Sequence, residues 1–150
     1  MNTHSKRLWP AVVLAVTLTV ALTAACGGGS SNTTTKAGWT KAHGPIVSTT
    51  SIDLDVVNQA LDAGQRPDVL AACNQLNEDV PKARKALPVP DPTADGALRT
   101  ALDTIAAGVA DCLEAARVGN QASLTEKAQR EIKDGRVKMD DANKAIQNWQ

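Results

Sequence analysis

The stretch from Pro67 to Ala116, PDVLAACNQLNEDVPKARKALPVPDPTADGALRTALDTIAAGVADCLEAA, decides the fold class. Its first half places apolar side chains at Val69, Cys73, Leu76, Val80, Ala83 and Leu87, in steps of 4, 3, 4, 3, 4. Its second half repeats those steps at Leu98, Leu102, Ile105, Val109, Cys112 and Ala116. A stripe with that spacing runs down one face of an α-helix and must be covered by a neighbour. Pro88-Val89-Pro90-Asp91-Pro92 punctuates the two stripes. Proline cannot continue the first helix, Asp91 can cap the second, and Pro92 suits its first position. Pro81 lies inside the first stripe, where a kink or break is expected.

Working outward, the same signals recur on both sides. Toward the C-terminus, Gly119-Asn120 closes the third helix. Ser123-Leu124-Thr125-Glu126 then fits a capping box. The seam that follows is Thr125, Ala128, Ile132, Gly135, Met139, Ala142, Ile146 and Trp149. The other face of this helix carries the i,i+4 pairs Glu126/Arg130, Asp134/Lys138 and Arg136/Asp140. Toward the N-terminus a further helix is expected from about Ser51 to Ala63, with Asp53 and Asp55 in its first turn and Gly64 ending it. No segment alternates with a period of two, so no sheet is expected. The chain reads as all-α: an up-and-down antiparallel bundle of about four helices over residues 49–150, joined by short loops.

Composition excludes several functions. The 150 residues carry 16 basic and 16 acidic side chains, so the chain lacks the basic excess that nucleic acid binding requires. It has no Phe, no Tyr and three Trp, which leaves a core built of aliphatic side chains and alanine.

The first 26 residues state an address. Lys6 and Arg7 precede an uncharged run from Leu8 to Ala25 that ends in small residues, the pattern of a secretory signal peptide over residues 1–25. At 18 residues the run is marginal as a membrane-spanning helix. Leu22-Thr23-Ala24-Ala25-Cys26 resembles the bacterial lipobox, although Thr23 stands where Leu is usual. The resemblance implies that Cys26 is acylated, palmitate being a typical chain, and becomes the new N-terminus. The alternative is an ordinary secretory peptide with Cys26 as a spare thiol. Gly27-Gly28-Gly29-Ser30-Ser31-Asn32-Thr33-Thr34-Thr35 favours the anchor, because it reads as a flexible tether. The expected tether occupies residues 26–48. Loss of Lys6 and Arg7 leaves 14 basic against 16 acidic residues, so acyl chains rather than charge would hold the protein to its membrane.

Assigning Cys26 to lipid leaves Cys73 and Cys112 as a pair outside the cytoplasm, where disulfides persist. The alternative is two buried thiols. Measured along ideal helices, the two cysteines miss each other by about 8 Å, so slack is needed at Pro81 or at the start of the third helix. A bond closing about 40 residues stabilises by about 4 kcal/mol in the chain-entropy model. Cys26, Cys73 and Cys112 in this arrangement, with the proline-rich turn between the last two, resemble small secreted helical lipoproteins of actinobacterial type. That resemblance implies the fold and the extracytoplasmic face of the cell membrane, and no activity.

Side chains for chemistry are few. Past the signal peptide His43 is the one histidine, in the expected tether, so a Ser-His or Cys-His device has one candidate base. Zinc, di-iron and c-type haem motifs are missing from the sequence. Met139 fits seam packing better than haem ligation, and Gly108 and Gly135 fit close helix approach. The pairs Glu78/Asp79 and Asp140/Asp141 read as solvated charge, with no acid on the seams of helices 2 to 4. No catalytic residue, metal or cofactor is therefore assigned, and the chain is expected not to be an enzyme. A membrane-anchored module that binds an envelope or secreted protein, through a face on the first or fourth helix, is the leading expectation. A carrier of a small apolar ligand held between helices is the alternative.

Overall fold

The structure, a computed structural model, describes residues 34–118 and 122–150. The expected signal peptide, the acylated Cys26, the tether up to Thr33 and the Gly119-Asn120 cap lie outside the described residues. Four helices follow one another: α1 (Lys36–Ala63), α2 (Arg66–Arg84), α3 (Pro92–Val118) and α4 (Ala122–Asn148). Each packs on its neighbours in sequence, and α1 also packs on α4, which closes the ring. Diagonal pairs do not meet, so this is an up-and-down antiparallel four-helix bundle. Among the described residues no helix is long and apolar enough to cross a membrane.

The expected seams are the core. Val69, Cys73, Leu76, Val80 and Ala83 of α2 are buried, as are Leu98, Leu102, Ile105, Val109, Cys112 and Ala116 of α3. On α4 every seam residue from Ala128 to Ile146 is buried, Met139 completely. All three i,i+4 ion pairs on the outer side of α4 are present. A Cys73–Cys112 disulfide joins α2 to α3, with Cα atoms 6.3 Å apart. Pro81 does not supply the slack, because α2 runs through it without a break. The slack comes from residues 85–91, a connection that includes a cis Leu87–Pro88 bond. Asp91 caps α3 as expected, its Oδ1 accepting from the Ala94 N–H at 2.8 Å. In return the Asp95 carboxylate accepts from the Val89 N–H at 2.8 Å, which fixes the turn onto the helix.

The closest packing is between α3 and α4, and two glycines make it possible. A Cβ on Gly135 would stand 2.8 Å from Cγ1 of Ile105. One on Gly108 would stand 3.1 Å from the backbone nitrogen of Ile132. Each isoleucine fills the notch that the opposite glycine leaves, so the two helices interlock in an antiparallel register.

α2 ends at Arg84, before Leu87, and α4 begins at Ala122, so the expected capping box at residues 123–126 falls inside the helix. The largest departure is at α1. α1 begins at Lys36, not near Ser51, so residues 36–48 of the expected tether are helix. The Thr35 side chain caps it, accepting from the Gly38 N–H at 3.2 Å. Tertiary packing keeps this segment helical despite the poor helix propensity of Gly38, Gly44 and Pro45. Trp39 is 2% exposed and donates its indole N–H to the Ala86 carbonyl at 2.9 Å, tying the start of α1 to the α2–α3 connection. Pro45 is exposed on the outer face of the helix. With the helix start moved, Asp53 and Asp55 are mid-helix residues and do not serve the helix dipole.

Candidate functional site

Three kinds of region, an aromatic corner, two clefts and a pair of acids, gather polar or aromatic side chains where α1 meets another element. At the start of α1, Trp39, His43 and Trp149 form an aromatic corner. Trp39 and Trp149 meet edge to face with centroids 6.4 Å apart, and His43 lies 5.5 Å from Trp39. Both tryptophans past the signal segment and the one histidine there are thus used in docking α1. His43 belongs to α1, not to a tether.

A groove of about 410 Å³ runs along the α1–α4 seam, lined by Trp39, Val47, Ser51, Ile52, Asp55, Arg136, Asn143 and Ile146. Its floor is crossed by Arg136, whose guanidinium donates to both oxygens of Asp55 at 2.7 and 3.4 Å and also pairs with Asp140. These carboxylates raise the guanidinium's affinity for its proton still further, Asp55 most. A second cleft, of about 360 Å³, opens at the other end of the bundle between Leu61, Val69, Ala115, Ala116, Arg66 and Glu126. Arg66 borders it and caps α3, donating to the carbonyls of Ala116 and Arg117 at 2.7 and 3.0 Å.

The third region is a pair of acids at the α1–α2 interface. Asp79 is 3% exposed, which corrects its reading as solvated charge. Its carboxylate accepts from Gln75 Nε2 at 2.7 Å and from Lys82 Nζ at 2.6 Å. Those two bonds hold it charged, below the usual carboxylate range, against the cost of burial. Across the interface Asp53 comes within hydrogen-bonding reach, and its buried Oδ2 meets no N–H or O–H group. Desolvation first, and the Asp79 carboxylate second, push the Asp53 carboxyl up to about 6. A smaller counterpart sits between α3 and α4. There Glu131 faces Asp111, and Lys127 lies 2.9 Å from Asp111 and 3.8 Å from Glu131. The Asp111 contact and desolvation raise Glu131, while the Lys127 hydrogen bond lowers Asp111.

Sequence reading missed the Asp53/Asp79 pair, although a signal was present. Gln75, Asp79 and Lys82 stand at i, i+4 and i+7, one stripe beside the apolar seam. Asp53 follows the buried Thr50 by three places and precedes the buried Val57 by four. The pair lines neither cleft, and Asp79 is engaged by two donors. Among the described residues no group of three or more His, Cys, Asp or Glu is placed to hold a metal ion.

No family model, no curated protein and no solved structure matches this chain.

Proposed function

We propose that this chain is a lipid-anchored module on the extracytoplasmic face of a cell membrane, without chemistry of its own, that binds an envelope or secreted protein through the outer face of α1. The observation that carries this reading is the make-up of that face. Pro45, Thr49, Ile52, Val56, Gln59 and Ala63 are all exposed, Ile52 at 60% and Val56 at 48%. Between Lys41 and Asp62 the only formal charges on α1 are Asp53 and Asp55, and both turn aside toward neighbouring helices. An uncharged stripe with two exposed aliphatic side chains is the composition of a contact surface. The outer face of α4 carries Arg130, Lys133, Asp134, Asp141 and Lys144 around Val137, a solvated composition.

The lipobox resemblance at Cys26 supports the anchor, and the position of Lys36 gives it a short reach. The nine residues between Cys26 and Lys36 span at most about 30 Å. A partner in the same membrane or wall layer is then met at high effective concentration. Two measurements test the reading. The intact mass of protein extracted from membranes should correspond to residues 26–150 plus acyl chains; a mature form starting elsewhere, or without acyl mass, removes the anchor. Crosslinking in native membranes should give a discrete adduct that the Ile52→Glu/Val56→Glu double variant loses while its melting temperature is kept. An adduct equally strong in that variant would move the contact off α1.

The second reading, a carrier of a small apolar ligand, is favoured by the cleft at Leu61, Val69, Ala115 and Ala116, with Arg66 and Glu126 beside it. Its volume is at the small end of the range for ligand sites. An apolar fluorescent probe bound one to one, and displaced by Val69→Trp, would support it.

A further inference from the structure

The α1–α2 interface contains a buried carboxylate oxygen with no hydrogen-bond donor among the described residues. Asp79 is tied down by Gln75 and Lys82 from its own helix and is closed to solvent. Oδ2 of Asp53 is buried without a donor, and the Asp53 carboxyl faces that of Asp79. Two carboxylates in contact repel, whereas a carboxyl and a carboxylate sharing one proton form a short, strong hydrogen bond. Lys82 is the cation facing the pair, and its ammonium is held by Asp79, with Glu78 contributing a weaker attraction. On the far side of α1, Asp55 is matched by Arg136, so the α4 contact does not depend on that proton.

We propose that a proton shared between Asp53 and Asp79 clamps α1 onto α2, making the hold on α1, and on the uncharged face it carries, a response to the acidity of the surroundings. The clamp operates whether or not that face binds a partner. Its sign follows from the direction in which each group is displaced. Asp53 keeps its proton in the folded protein up to about pH 6, but in an unfolded or undocked α1 only up to about 3.8. Docking therefore takes up a proton between those values, and α1 loosens as pH rises through that window. Asp79 acts in the opposite sense, because its contribution is lost only when pH falls below the normal carboxylate range. Docking is thus firmest at mildly acid pH. At the α3–α4 interface Lys127 lies near both Asp111 and Glu131, so loss of the corresponding proton is partly compensated there.

Amide hydrogen exchange of the full-length protein at pH 5.0 and 7.5, corrected for intrinsic exchange, tests the clamp. The complete displacement of Asp53 corresponds to a factor of about 100 in the docking equilibrium. Because pH 5.0 already lies inside the window, only about tenfold of that factor is crossed between 5.0 and 7.5, before any screening. Peptides from residues 46–63 should therefore open about tenfold more often at pH 7.5, relative to peptides from α3. In Asp53→Asn, whose amide donates permanently to Asp79, that difference should vanish and protection at pH 7.5 should rise. An α1 signal that does not change with pH, or a dependence that survives in Asp53→Asn, overturns the proposal. If the variant does not fold, a carbon-13 titration of the wild-type carboxyls decides. An Asp53 midpoint near 6 supports the clamp, and one below about 4.5 overturns it.

Discussion

The α3–α4 pair and the seams of α1 are built on opposite principles. α3 and α4 interlock through Gly108 and Gly135, leaving no room for a methyl group between them. α1 meets α4 across a groove bridged by Asp55–Arg136 and by the Asn143 amide at 3.4 Å from Ser51 Oγ, and it meets α2 partly through a pair of acids. Close packing gains dispersion and hydrophobic stabilisation that depends little on the medium. Polar seams are worth less on balance, and pH and salt alter them. The comparison separates a fixed half, α2–α3–α4 with its staple, from a helix whose attachment can vary.

The strongest challenge to that division is to remove the staple. Cys73→Ala/Cys112→Ala should lower stability by about 4 kcal/mol, the loop entropy of a crosslink spanning 39 residues. Urea unfolding that changed by less than about 1 kcal/mol would show that α2 and α3 are held by packing alone. Next in size is Trp39→Ala, expected to cost about 3 kcal/mol through a lost buried ring and an orphaned Ala86 carbonyl. The loss should be local: exchange should speed up over residues 36–47 and hardly change in α3. A uniform effect would make α1 part of the fixed half.

Gly135→Ala probes the interlock, and about 2 kcal/mol of destabilisation is expected because the new Cβ meets Cγ1 of a buried Ile105. Gly96→Ala is its control. With nothing within 4 Å, that substitution should stabilise α3 by about 0.5 kcal/mol through helix propensity. If both substitutions had the same sign, the notch would not be what brings α3 and α4 together. The smallest effect belongs to Asp55→Asn, since the pair with Arg136 is half-exposed. About 0.5 kcal/mol is expected, falling toward zero in 1 M salt, as thermal melts would register.

Much of this was legible because a helix seam is a local pattern. Steps of three and four residues located α2, α3 and the body of α4. The i,i+4 charge pairs of α4 followed from the same geometry. The cysteine pairing followed from compartment and count, and its geometric slack lay in residues 85–91 rather than at Pro81. The start of α1 was misread for a definite reason. The Gly-, Ser- and Thr-rich stretch reads as a tether, and Ser51, Asp53 and Asp55 mimic a capped first turn, which hides the earlier start at Lys36. Yet Trp39, His43, Val47, Thr50, Leu54, Val57 and Leu61 continue the seam spacing through them. Periodicity was the better guide.

The sequence by itself determined the apolar seams of α2, α3 and α4, the number of helices, and the direction in which each helix follows the last. Those properties depend on neighbours within a few turns and on short connections. Only the tertiary structure decided that Asp53 and Asp79, 26 positions apart, come together across an interface. It likewise decided that Asp55 meets Arg136 and that Ile105 fills the notch at Gly135. The physical reason is that these contacts depend on the rotation and axial offset of one helix against another. A repeat of three and four residues leaves both nearly free, and the packed core then fixes them.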